Sequence, residues 1–139
     1  MKGYIVKIEK DGTGYMASFP DVPEALTGAD TYQEALKQAQ DALFTAIQGY
    51  MEGRIAVPVP RAKDGDAVIY LPETMEAKVL LWNAMLKEKV SKTEMAKRLG
   101  KTEGYVRKLL DPYQNVTINS LAEAAHVLKK RIAMEMVVA

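Results

Sequence analysis

Residues 90–110, VSKTEMAKRLGKTEGYVRKLL, read as two short helices joined by a tight turn. Ser91 can cap a helix through its hydroxyl, and Glu94, three residues on, can reach back to the amide of Ser91, the reciprocal pattern of a capping box. Met95, Ala96 and Leu99 then share an apolar stripe, and Gly100 supplies the backbone freedom needed to leave the helix. With the turn at Gly100-Lys101, Thr102 can cap a second helix. That helix groups Val106, Leu109 and Leu110 on one face and turns Gly104, Arg107 and Lys108 the other way, before Pro112 ends it.

The outward face suits DNA. Two long cations beside a glycine allow a backbone to approach a phosphate or a base edge closely, and Thr102 can donate to phosphate. Residues 87–108 hold eight Lys or Arg against three Glu, a net +5 that favours a polyanion. The expected DNA contacts are Lys92 and Thr93 at the start of the first of these helices, and Thr102, Glu103, Gly104, Tyr105, Arg107 and Lys108 at the second. Arg107 is the expected base reader, because its planar fork can take guanine O6 and N7 together. The plainer alternative is a helical hairpin whose charges form a solvated face.

Outside this stretch the charge is divided along the chain. The 139 residues sum to +1, but residues 1–60 carry five Lys or Arg against eight acids, and residues 73–139 carry twelve against eight. With no cysteine, disulfides, thiolate metal sites and cysteine nucleophiles are excluded. His126 is the one histidine; without companions it reads as a surface helix residue, and neither a metal nor a cofactor is expected. No apolar run approaches the roughly 20 residues of a membrane span, and Met1-Lys2-Gly3-Tyr4 leads into a strand, so a cytoplasmic protein without membrane association is expected.

The front half alternates. Tyr4, Val6 and Ile8 give the period of a strand with one buried face, Asp11-Gly12-Thr13-Gly14 a turn, and Tyr15, Ala17 and Phe19 a second strand. Residues 24–27 are the expected third strand, and Asp30, with Gln33 three residues later, the expected cap of a helix over residues 31–52. That helix lines up Tyr32, Leu36, Ala39, Leu43, Ile47 and Tyr50, and Gly53 stops it. The prolines of Ile55-Ala56-Val57-Pro58-Val59-Pro60 force extended backbone, residues 61–66 form a polar link, and residues 67–71 return to the sheet. Pro72 marks the expected boundary between domains at residues 1–72 and 73–139.

Beyond it, a helix over residues 73–87 with a stripe of Met75, Val79, Trp82 and Leu86 backs the helix pair, and Thr117 caps a last helix of Ile118, Leu121, Ala125 and Leu128. Ile132, Met134, Met136 and Val138 alternate like a strand with no partner in a helical domain, and read as a contact between two copies.

Two resemblances follow. Tyr15-Met16-Ala17-Ser18-Phe19-Pro20-Asp21-Val22-Pro23, then Thr27-Gly28-Ala29-Asp30-Thr31, Glu34-Ala35 and Val57-Pro58-Val59-Pro60, resemble the HicB antitoxin family. Ser91-Lys92-Thr93-Glu94-Met95-Ala96 with Leu99-Gly100 and Val106 is similar to the helix-turn-helix of phage repressors, which longer HicB proteins carry as a second domain. Lys92 stands where that class usually has glutamine; lysine reaches phosphate but lacks the bidentate amide. The resemblance implies an α+β chain: an N-terminal β-β-β-α-β partial ribonuclease-H-like domain, then an all-α helix-turn-helix domain with a dimerisation strand. It implies an antitoxin that inhibits HicA, a small basic mRNA-cleaving toxin, and represses its own operon through the second domain; the unpartnered tail adds the expectation of a homodimer, with tetramers left open. The acidic Glu9, Asp11, Asp21 and Glu24 are the expected toxin contacts.

Two other function classes fit the residues less well. A nuclease would need carboxylates converging on metal, but Asp11 and Asp21 read as turn residues, Asp30 as a cap, and Glu34 and Asp41 as helix surface, so no enzyme is expected. A regulator sensing a small ligand would need a polar cavity, whereas the long helix offers alanines, leucines and tyrosines to the sheet.

Overall fold

In the computed structural model, which describes residues 1–138, the opening alternation forms β1 (Tyr4–Asp11), and β2 (Gly14–Ser18) returns along it. The hairpin pairs Lys7 with Ser18, Ile8 with Ala17 and Asp11 with Gly14, leaving a two-residue loop in which Gly12 takes φ +64°. β3 (Leu26–Ala29) pairs with β2, and β4 (Ala67–Ile69) pairs with the other edge of β1, so the antiparallel sheet runs β3-β2-β1-β4. The register puts Tyr4, Val6, Ile8, Ala17 and Ile69 on one buried face, and α1 (Tyr32–Glu52) packs on β1, β2 and β3.

The element order is the expected β-β-β-α-β, with local shifts. β3 starts two residues later than its expected span, because the preceding residues are used in turns in which Val22 N–H donates to Phe19 O and Ala25 N–H to Val22 O. Thr31, not Asp30, caps α1; its hydroxyl accepts from Glu34 N–H at 3.1 Å. The buried row of α1 is Ala35, Ala39, Leu43, Ile47 and Met51. Tyr32 and Tyr50 leave that row for surface contacts: Tyr32 meets the Tyr15 ring edge-on at 6.0 Å, and the Tyr50 hydroxyl donates to the Glu24 carboxylate. Gly53 keeps φ −77°; the left-handed step that ends α1 falls on Arg54 at φ +58°.

The segment between α1 and β4 is strapped to the sheet. Tyr4 donates to Pro58 O at 2.6 Å, Asp21 Oδ2 accepts from the amides of Arg61 and Ala62 at 2.9 Å, and Asp66 Oδ2 accepts from Ile8 N–H at 2.7 Å. A Cβ on Gly65 would stand 2.2 Å from the Ile5 side chain and 2.9 Å from Val6 O, so only glycine lets the strap lie this close to β1.

The chain divides into two compact units after Pro72. The second contains α2 (Glu73–Lys87), α3 (Lys92–Leu99), α4 (Glu103–Leu110) and α5 (Ile118–Val127). α2 packs on α4 and α5 and buries more than one stripe: Met75, Ala77, Lys78, Val79, Leu81, Trp82 and Met85. Leu86, expected on the stripe, is half-buried. α2 and α5 end as α1 does, across a left-handed basic residue. Lys89 takes φ +57° with Val90 N–H on Met85 O, and Lys129 takes φ +59° with Lys130 N–H on Ala125 O. The strand expected at residues 132–138 does not form in the single chain, since extended backbone without a partner gains no ladder of hydrogen bonds.

The Tyr50 contact makes stability depend on pH. Burial, and then the Glu24 carboxylate, push the Tyr50 pKa up to about 12 from an ordinary 10.0. The bond from Tyr50 holds Glu24 below its usual 4.5. Between pH 10.0 and about 12 the folded chain therefore holds a proton the unfolded chain has lost, and the contact's contribution fades as pH rises. Below 4.5 the unfolded chain takes up a proton first, and the contribution fades as pH falls. The stability gap between the natural chain and Tyr50→Phe, from urea unfolding, is expected to be widest between those limits and to close at both ends; a pH-independent gap contradicts this.

Candidate nucleic-acid interface

The two short helices are set by their caps. Ser91 accepts from Glu94 N–H at 3.1 Å and starts α3. The Glu94 carboxylate does not turn back to complete the capping box; it accepts from Arg98 Nε at 3.0 Å, one turn along the exposed side. Gly100, at φ +67° and ψ +33°, ends α3 in the left-handed region, and Lys101 N–H closes on Ala96 O at 2.9 Å. Thr102 then starts α4 by accepting from Tyr105 N–H at 3.0 Å. Three residues, Gly100, Lys101 and Thr102, thus connect the helices.

Val106, Leu109 and Leu110 bury the inner side of α4, and Glu103, Gly104, Arg107 and Lys108 lie exposed on the other. Arg107 is the most open of these charged groups for which a pair is seen, its side chain 62% exposed and its Nη1 3.7 Å from Glu103 Oε2. Glu103 Oε1 accepts from the Thr93 hydroxyl, which links the starts of the two helices. Lys101 Nζ lies 5.4 Å from the Tyr105 ring centre, and Lys92 Nζ lies 5.6 Å from the ring of Trp82, so Lys92 is held against α2. All eight residues proposed for nucleic acid therefore lie on α3, its turn and α4.

Gly104 is informative. It sits in the first turn of α4 with ordinary helical backbone, and a Cβ there would meet nothing nearer than Arg107 Nη2 at 3.6 Å. The fold therefore does not require glycine, although glycine in a helix costs about 0.5–1 kcal/mol relative to alanine. A smooth patch beside Arg107 is the feature that glycine leaves on the outer face.

Lys78 was not visible as part of this arrangement. It is 0% exposed, and its Nζ donates to the carbonyls of Asp111 and Gln114, the segment that leaves α4. Burial pushes its pKa down, against the opposing pull of Asp111. The spacing Met75, Lys78, Trp82 does place it on the apolar stripe of α2, which is the signal that could have found it.

The other predicted residues are scattered. Glu9 and Asp11 are exposed on β1, opposite Met16 and Gly14, while Asp21 and Glu24 lie in the loop between β2 and β3. Asp21 and Glu24 are occupied within the unit, by the amides of residues 61 and 62 and by Tyr50. Ile132 is half-buried, and Met134, Met136 and Val138 are 78%, 99% and 93% exposed. His126 is exposed on α5. Among the described residues no cluster of His, Asp and Glu could hold a metal ion, and no helix is long and apolar enough to cross a membrane.

Comparison with known proteins supplies the family. A family model described as HicB-like antitoxin of bacterial toxin-antitoxin system matches residues 3–80. Antitoxin HicB 2 of Photorhabdus laumondii is 42% identical over 131 residues, 94% of each chain. Antitoxin HicB of Escherichia coli K12 is 38% identical over 89% of this chain and 91% of its own, and Antitoxin HicB of Pseudomonas fluorescens 34% identical over 96% and 92%. HicB antitoxins are not enzymes, and an antitoxin implies a cognate toxin. On an identity of this level across nearly the whole length, the chain belongs to the HicB antitoxins of bacterial toxin-antitoxin systems.

Proposed function

We propose that this antitoxin neutralises a HicA-type mRNA-cleaving toxin through residues 1–72 and represses its own operon by binding operator DNA through the unit that begins at Glu73. The observation that carries the DNA half is the outer face of α4. Gly104, Arg107 and Lys108 are exposed there on a helix whose other side is packed by Val106, Leu109 and Leu110, and the fold has room for a Cβ at the glycine. A helix presented in this way, with a companion helix across a three-residue turn, supports the reading as a helix-turn-helix. The net +5 of residues 87–108 supplies the sequence-independent attraction to phosphate.

The toxin half rests on charge and family. Residues 1–72 carry seven Lys or Arg against ten acids, a balance complementary to a basic RNA-cleaving protein. The β-β-β-α-β order supports the reading as a partial ribonuclease-H-like domain, and no group of its acids could hold a metal ion. Since Asp21 and Glu24 are bonded within the unit, Glu9 and Asp11 are the acids of the predicted set best placed to meet the toxin. Both activities place the protein in the bacterial cytoplasm.

The exposed alternation of Met134, Met136 and Val138 supports a homodimer in which two tails pair as strands, bringing two copies of α4 to a symmetric operator.

Arg107→Ala is expected to lower discrimination between operator and unrelated duplex by ~1–3 kcal/mol in gel-shift titrations, whereas Lys92→Ala weakens both duplexes alike. Normal operator binding by Arg107→Ala would place the reading helix in the wrong register. Deletion of residues 132–139 is expected to convert dimers to monomers in sedimentation velocity; dimers that persist without the tail remove its assigned role.

A further inference from the structure

The Glu103 carboxylate stands at the first position of α4, where the helix dipole favours it, and its two oxygens face different groups. Oε1 accepts the hydroxyl hydrogen of Thr93, in the first turn of α3, and Oε2 lies 3.7 Å from Arg107 Nη1, one turn further along α4. As a direct DNA contact Glu103 would be a poor choice, since a carboxylate beside phosphates is repelled. As a bracket it acts on Arg107 through charge, since 3.7 Å is beyond hydrogen-bond reach. An arginine with a 62% exposed side chain has many rotamers of similar energy, and an anion fixed from a second helix narrows them.

We propose that Glu103 is a positioning residue and not a DNA contact: held by Thr93, it orients the guanidinium of Arg107 and thereby sets how sharply the protein separates one base pair from another. This inference rests on the reading of α4 as the DNA-contacting helix. It makes two effects of one substitution run in opposite directions. Loss of the negative charge strengthens attraction to any duplex, because phosphate repulsion falls. Release of Arg107 flattens the difference between duplexes, because a fork that samples many poses matches guanine less selectively. A residue needed only for folding weakens binding to both.

The test uses the full-length protein with Glu103→Gln, Thr93→Val, Arg107→Ala and the Glu103→Gln/Arg107→Ala pair. Each is titrated against a duplex taken from directly upstream of the antitoxin's own operon and against a scrambled duplex of equal length. Glu103→Gln is expected to bind the scrambled duplex more tightly while its ratio of specific to nonspecific affinity falls roughly two- to fivefold. Thr93→Val lowers the ratio in the same direction, and the double variant shows the ratio of Arg107→Ala alone, since with no arginine there is nothing left to orient. An unchanged ratio in Glu103→Gln beside a lowered ratio in Arg107→Ala overturns the inference and leaves the DNA reading standing. Equal weakening on both duplexes assigns Glu103 to folding and also overturns it. A natural chain with no preference between the duplexes overturns the DNA reading and the inference together.

Discussion

Helices of eight residues do not hold themselves in water, so α3 and α4 depend on what fixes their ends. The central interaction is Lys78. A cation with no exposed surface is costly unless its hydrogens are satisfied, and here the Asp111 and Gln114 carbonyls receive them. The amine thereby ties α2 to the segment that leaves α4. At the opposite end of α4, the left-handed Gly100, the Thr102 cap and the bond between Thr93 and Glu103 set its angle to α3. A helix held at both ends can leave its outer face unpacked, and on that face stand Gly104, Arg107 and Lys108.

The first unit solves a different problem. Its sheet is small, and the long segment from α1 to β4 has few strand bonds of its own. Three side chains do the fastening, namely Tyr4, Asp21 and Asp66, with Gly65 permitting the close approach. Two of these are acids, which shows how part of an acidic composition can be structural. Glu24, tied to Tyr50, adds a third. These bonds leave the carboxylates charged but fix where their oxygens point, and this narrows how a basic partner can dock on them.

Much of this was legible in the sequence because it is local. Period-two alternation marked β1 and β2, and Ser91, Gly100, Thr102 and Thr117 each do at their helix ends what their chemistry suggests. What escaped depends on contacts between distant residues. Nothing near Lys78 announces that two carbonyls 33 and 36 positions away will satisfy it. Nor does anything near Asp21 announce the amides of residues 61 and 62. The left-handed turns at Arg54, Lys89 and Lys129, just beyond helix ends, escaped for a related reason: a basic residue in that region is accepted only because the closing bonds and the helix dipole outweigh its strain. The tail at residues 132–138 shows the opposite case, a clear strand period with no strand in a single chain.

The proposed neutralisation and repression fall on separate units, the first ending at Pro72. This division is tested most directly by producing the full chain, or residues 1–72 alone, beside the cognate toxin in growing cells that also carry a reporter behind the operon's own promoter. Both proteins are expected to restore growth, and only the full chain to silence the reporter. Failure of residues 1–72 to restore growth while the protein accumulates in folded form, or silencing of the reporter by residues 1–72, would contradict it.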